Sequence, residues 1–234
     1  MNTDLTRPSP ADGRHARDLF WYSGLKSKTA KGFSLIELLV VIAVFSSVLG
    51  FLFASLGEGQ NISAISRDEA ETQQNLQDVM TLMTGELRCA GFPPENYYDA
   101  QFLQNSSTNK NLTAKGLVEI MPQAIKFQGD INGNGKVDFI HYYLSGSSAP
   151  YSLNRFGGEI NNDGSLPGGS AQKLSEQVES LQFKYFTHSG IETLNLPDVV
   201  TVEIQLTMRT VRVDPLLGIY RTVSESTRIR PLNL

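Results

Sequence analysis

The sequence predicts an α+β fold: a long amino-terminal helix, transmembrane in its first half, packed against an antiparallel β-sheet head. Three observations carry that expectation. An apolar run extends from Phe33 to Leu56, a three-and-four spacing of apolar residues continues to about Cys89, and beyond Pro94 the spacing changes to two.

The apolar run comes first. From Leu38 to Leu56 it contains no charged residue, which meets the roughly 18 residues expected of a membrane-spanning helix and exceeds the roughly 7–15 of a secretory h-region. Lys26, Lys28 and Lys31 precede it, whereas Glu58, Asp68, Glu69 and Glu71 outnumber Arg67 after it. That bias predicts a cytoplasmic amino end and a periplasmic or exterior remainder. The run holds one carboxylate, Glu37, whose insertion costs on the order of 2.5–3.5 kcal/mol and so calls for a partner. Glu37 either snorkels to the interface or meets a cation supplied by another molecule. Lys31-Gly32 before Phe33 suits a peptidase that needs a small residue at its cut, and cleavage after Gly32 would create a new ammonium on Phe33 for a neighbour's Glu37.

The residues Lys31-Gly32-Phe33-Ser34-Leu35-Ile36-Glu37-Leu38-Leu39-Val40 resemble the class III signal of type IV prepilins and type II secretion pseudopilins. The resemblance implies that a prepilin peptidase cuts after Gly32 and methylates Phe33, and that Glu37 guides subunit entry into a helical filament. It also implies the partners and the route. The chain would be held in the inner membrane with its head periplasmic, and would then join other minor and major pilins at the pilus and cell surface. Family leaders are often shorter than residues 1–32, so translation is expected to begin at Leu25, leaving a short basic leader from Leu25 to Gly32.

The amphipathic continuation, residues 57–91, places Ile62, Ile65, Leu76, Val79, Met80, Met83 and Leu87 on one stripe. Ala90-Gly91-Phe92-Pro93-Pro94 ends it, and Gly57 and Gly59, each costing about 1 kcal/mol of helix propensity, mark a candidate break or bend. The end of this helix, Glu86-Leu87-Arg88-Cys89-Ala90-Gly91-Phe92, resembles that of PilW-like minor pilins. Val178 to Tyr185 and the closing Arg228-Ile229-Arg230-Pro231-Leu232-Asn233-Leu234 add to that resemblance, with J-type minor pseudopilins as near relatives.

The head, residues 92–234, is expected to be a single β-rich domain whose core rests on the helix. Strands are predicted at Leu117–Ile120, Ala124–Gln128, Phe139–Leu144, Val178–Phe186, Val199–Val213 and Tyr220–Ile229, the last two as a hairpin through Asp214–Gly218. Gly157 to Gly169, rich in Gly and Asn, is expected to be a mobile loop. A net charge of −4 and the lack of a basic stripe do not favour nucleic acid. With Cys89 as the single cysteine, no disulfide can form within the chain.

One constellation in the head carries chemistry. Asp130-Ile131-Asn132-Gly133-Asn134-Gly135-Lys136-Val137-Asp138 offers side-chain oxygens at positions one, three, five and nine, glycine at six and the Lys136 carbonyl at seven, the order of the first part of an EF-hand loop. His141 stands where that loop needs glutamate, so the pattern fits a strand-loop-strand Ca²⁺ site; a polar hairpin built on Asn-Gly turns is the alternative, but a mere turn does not require Asp at both ends. Asn161-Asn162-Asp163-Gly164 reads as a plain loop with weaker ligand character. No catalytic motif is present. His15 lies in the leader, and His141 and His188 stand without a triad, so the chain is not read as an enzyme. Three readings remain: a minor pilin of a type IV pilus, a minor pseudopilin of a type II secretion system, or an uncleaved membrane-tethered Ca²⁺-binding domain.

Overall fold

The structure, a computed structural model, describes residues 32–105, 109–215 and 217–233. The expected leader, with its lysines, His15 and the candidate start at Leu25, lies outside the described residues apart from Gly32, as do Leu216 and Leu234. The chain divides into two units, residues 1–53 and 54–234.

In the first unit the described chain becomes helical at Leu35 and exposes every side chain. Among the described residues, none of the apolar window of this helix is buried. The helix, α1, runs continuously from Leu35 to Arg88. It passes through Gly57 and Gly59 without a break: about 2 kcal/mol of lost propensity does not interrupt a helix already propagating on both sides.

The second unit is a seven-stranded antiparallel sheet laid on the carboxyl half of α1. Its strands are β1 (Leu117–Ile120), β2 (Ala124–Gly129), β3 (Asp138–Ser145), β4 (Tyr151–Glu159), β5 (Gln172–Phe186), β6 (Thr201–Asp214) and β7 (Ile219–Ile229), and they pair in sequence order. A short helix, α2 (Ala100–Asn105), precedes the sheet.

The period of two is visible in burial. Ile125 and Phe127 of β2, Ile140 and Tyr142 of β3, and Val202, Ile204, Leu206 and Met208 of β6 point inward. In β5 the inward residues Val178 and Leu181 are out of phase, because a register irregularity between Val178 and Ser180 inserts one extra residue. Against these strands α1 places Leu76, Val79, Met80, Met83 and Leu87, all buried. The stripe begins at Ile65, which is buried, and not at Ile62, which is exposed.

Two expectations are corrected. β4 has no counterpart among the predicted strands, and it takes up the first part of the segment expected to be a mobile loop. Gly157 and Gly158 sit inside it opposite Ile140 and Phe139. A Cβ on Gly157 would fall 2.6 Å from Ile140 Cδ1, so the glycine reflects close packing. The segment from Leu196 to Asp198 forms one 3₁₀ turn between β5 and β6.

Helix and sheet are tied by a buried ion pair. Glu86 of α1 accepts hydrogen bonds from Arg155 of β4, Nε at 2.9 and 3.0 Å and Nη2 at 2.7 Å, and from the Tyr142 hydroxyl of β3 at 2.5 Å. Burial, and then the Glu86 charge, push the Tyr142 hydroxyl pKa well upward, so it stays a donor. The end of α1 is closed by backbone. Gly91 N–H donates to Gln128 O at 2.9 Å, Asp130 N–H to Phe92 O at 2.7 Å and Leu232 N–H to Arg88 O at 3.2 Å. A Cβ on Gly129 would lie 2.3 Å from Cys89 O, and one on Gly91, at φ +82°, 2.4 Å from Asn233 O. Neither approach tolerates a side chain.

Replacing Glu86 by alanine leaves a partly buried guanidinium and the buried Tyr142 hydroxyl without their acceptor, and stability is expected to fall by about 2–3 kcal/mol. Urea unfolding of the full chain in detergent measures it.

Candidate functional site

The helix start is organised locally. Ser34 stands just before the first residue of α1, Leu38 N–H donates to Ser34 O at 3.1 Å, and Ser34 N–H donates to Glu37 Oε2 at 3.2 Å. Ser-x-x-Glu here supplies one arm of a capping box, the N3 carboxylate reaching back to the N-cap amide. Glu37 therefore helps start its own helix as well as presenting a charge. One residue upstream, Phe33 is 87% exposed. A Cβ built on Gly32 would meet none of the described residues within 4 Å.

Residues 27–53 match the family described as the prokaryotic N-terminal methylation motif. The chain carries a prepilin-type signal. That match covers Gly32, Phe33 and Glu37 and supports a type IV pilin or pseudopilin protein. A motif of this kind implies processing by a prepilin peptidase. With the apolar helix it is consistent with membrane anchoring. No curated protein matches the chain significantly.

The second candidate site is the connection between β2 and β3. Asp130, buried at its start, gathers the loop. Its Oδ1 accepts N–H groups from Gly133 at 2.8 Å and Asn134 at 3.1 Å, and its Oδ2 accepts that of Gly135 at 2.8 Å. Asn132 Oδ1 takes Asn134 N–H and Asn134 Oδ1 takes Lys136 N–H, both at 2.9 Å. Asp138, also buried, opens β3 and accepts Ile131 N–H at 3.2 Å. Gly133 and Gly135 have φ of +73° and +81°, which the backbone needs in order to wrap its amides around Asp130.

All four expected side-chain oxygen ligands thus turn toward their own loop, and the seventh position, Lys136, behaves differently. Lys136 sends its ammonium to Glu159 Oε1 at 2.6 Å, and Asn134 Nδ2 lies 3.4 Å from Glu159 Oε2. Glu159, at the end of β4, is a neighbour that sequence spacing could not show, since it arrives only through β3–β4 pairing. Burial is the main cause that raises the Asp138 pKa above the usual carboxylate range, with the charges of Asp130 and Glu159 adding to it.

The donor set is one of hard oxygens, as Ca²⁺ prefers, with Asp130 Oδ1 already accepting two amides and the other side-chain oxygens one each at most. Among the described residues no group of three or more His, Cys, Asp or Glu side chains is placed to hold a metal. A cation here would be held by Asp130 and Asp138, the carboxamides of Asn132 and Asn134 and the Lys136 carbonyl. His141 keeps other company. Its ring stacks on Tyr143 at 4.6 Å, and burial followed by the Lys126 charge lowers its pKa.

Asn161 to Gly164 forms a tight turn. Gly164 N–H donates to Asn161 O at 2.8 Å and Ser165 N–H to Asp163 Oδ1 at 2.8 Å. Buried Asn111 holds this turn beside the first loop, giving Nδ2–H to Ile160 O at 3.1 Å and accepting Val137 N–H on its carbonyl at 2.8 Å.

The raised Asp138 pKa has a defined sign. Its contribution to stability is greatest while the carboxyl is protonated and is lost as pH rises through the folded-state value. With divalent ions chelated, Asp138→Asn is expected to raise the thermal midpoint at neutral pH and to give no gain below the carboxylate range, as calorimetry at the two pH values would show.

Proposed function

We propose that this chain is a minor pilin of a type IV pilus, of the PilW-like kind, that takes part in pilus assembly initiation or in a tip complex. Prepilin peptidase cuts after Gly32 and methylates Phe33. The carboxylate of Glu37 then meets the methylated amine of a neighbouring subunit while the apolar helices pack side by side. The observation that carries this reading is a fully exposed apolar helix of membrane length, headed by a methylation motif at residues 27–53, on a chain whose sheet buries only the later half of that helix. The capping hydrogen bond to Ser34 supports it, because it fixes the Glu37 carboxylate within one residue of the new terminus. A minor pseudopilin of a type II secretion system shares each of these features. The genes beside it distinguish the two: further minor pilins and a large adhesin, or a secretion ATPase and secretin.

The β2–β3 loop is proposed to bind Ca²⁺ through Asp130, Asn132, Asn134, Lys136 and Asp138, stapling the corner where a disulfide would otherwise serve. The Asx side-chain oxygens gathered within one short loop support this, and with two carboxylates the affinity belongs to the range of extracellular modules, about 0.1–1 mM.

Mass spectrometry of the chain from wild-type cells and from Glu37→Ala cells is expected to find methylated Phe33 at the start of both, while the variant is depleted from sheared filaments. A wild-type chain that begins elsewhere removes the pilin reading. For the loop, millimolar Ca²⁺ is expected to raise the thermal midpoint of the full chain in detergent above its value in EDTA, and Asp130→Ala to abolish the difference. Equal midpoints for the wild type refute the Ca²⁺ proposal.

A further inference from the structure

Two Asn-Gly pairs stand in the β2–β3 loop, Asn132-Gly133 and Asn134-Gly135, and both asparagines are exposed. Such a pair can modify itself, because glycine has no side chain to keep its amide nitrogen away from the preceding carboxamide carbon. In that reaction the glycine nitrogen loses its proton to solvent base and bonds to the asparagine Cγ. The Cγ–Nδ2 bond breaks, and Nδ2 leaves as ammonia with a proton from water. Water then opens the succinimide ring to aspartate or isoaspartate. Asparagine and water thus become a carboxylic acid and ammonia, with no cofactor or oxidant.

In this loop the electrophilic half of the reaction is prepared and the nucleophilic half is blocked. Asn134 Oδ1 accepts Lys136 N–H and Asn132 Oδ1 accepts Asn134 N–H, both at 2.9 Å, so each carboxamide carbon is polarised by a donor aimed at the oxygen where charge develops. Nδ2 of Asn134, the group that would leave, lies 3.4 Å from Glu159 Oε2. The two nitrogens that would attack are held by one residue. Gly133 N–H donates to Asp130 Oδ1 and Gly135 N–H to Asp130 Oδ2, each at 2.8 Å. A carboxylate is far too weak a base to remove an amide proton. An amide anion left beside it would meet a like charge, and Asp130 is buried, where water screens poorly. Asp130 is itself anchored outside the loop, its N–H donating to Phe92 O at 2.7 Å.

We propose that Asn132 and Asn134 are latent deamidation sites and that Asp130 keeps them as amides by clamping the nitrogens of Gly133 and Gly135. The inference goes beyond the pilin reading and does not depend on Ca²⁺. Either product would alter the loop. Aspartate at position 134 sets a further carboxylate beside Glu159, and isoaspartate adds a methylene to the backbone of a turn closed by short hydrogen bonds. The clamp therefore preserves both the charge and the geometry of the connection between β2 and β3.

The full chain is incubated in detergent and EDTA at neutral pH, and peptide mapping by mass spectrometry follows the replacement of NH₂ by OH at positions 132 and 134, with isoaspartate separated by chromatography. A synthetic peptide from Gln128 to Ile140 gives the unclamped rate. The wild type is expected to deamidate at least about tenfold more slowly than the peptide, because a hydrogen bond to a charged acceptor is worth roughly that factor or more. Asp130→Ala is expected to approach the peptide, and Asp130→Asn, which keeps the shape with one acceptor oxygen fewer, to fall between. Where Asp130→Ala does not fold, as circular dichroism would show, Asp130→Asn decides. Asn111→Ala removes bonds to Ile160 and Asn162 in the adjoining turn but leaves those of Asp130, and is expected to stay as slow as the wild type. A wild type as fast as the peptide overturns the proposal. It is overturned equally if the folded Asp130 variants are no faster than the wild type, or if Asn111→Ala matches them, which would make loosening of the loop the cause.

Discussion

An apolar helical surface that its own chain leaves bare governs this molecule. Each square ångström of such surface left in water costs roughly 25 cal/mol, and the side chains from Phe33 to Leu56 are exposed one after another around the whole helix. An apolar environment offsets that cost, and a carboxylate within it is stabilised by a cation. Glu37 is tolerable there because it already has one hydrogen bond at home, to Ser34, and a second lone pair to offer elsewhere.

The later half of α1 faces a different demand, since it is the central element of a sheet domain that has no disulfide to close its loops. Three devices replace one. The Glu86, Arg155 and Tyr142 cluster pins the helix to β3 and β4. The backbone contacts around Gly91 and Gly129 seal the helix end against β2 and against Leu232 and Asn233. At the other end of the sheet Arg221 ties the β6–β7 hairpin to Glu69. The segments Glu86–Phe92 and Arg228–Asn233, far apart in the sequence, are thus brought together where the helix stops.

Much of this was legible in the sequence wherever the signal was local. Alternation placed β2, β3, β6 and β7 closely, and the three-and-four spacing placed the buried helix face from Ile65 onward. β4 escaped because Asn154, Arg155, Gly157 and Gly158 break the alternation. Arg155 is inward only because Glu86, on another element, receives it. The early part of β5 was missed for a related reason, its phase being reset by an irregularity that no propensity marks. In the β2–β3 loop, glycines and Asx residues announced a wrapped turn, whereas Glu159 became a neighbour through strand pairing alone. The apolar residues of Val211 to Ile219 were plain to read as strand formers. Their exposure was not, since a period of two cannot say which sheet face lacks a cover.

The strict order of the sheet has a consequence for how the protein is made. Every strand pairs with the one that precedes or follows it in the chain, so loop closure between partners involves short separations and small entropic cost. A growing polypeptide can add each strand to its predecessor as it is made, without waiting for a distant partner. The α1 face that receives the sheet precedes it in the chain, so a template is present from the outset. The order of synthesis and the native topology therefore run in the same direction.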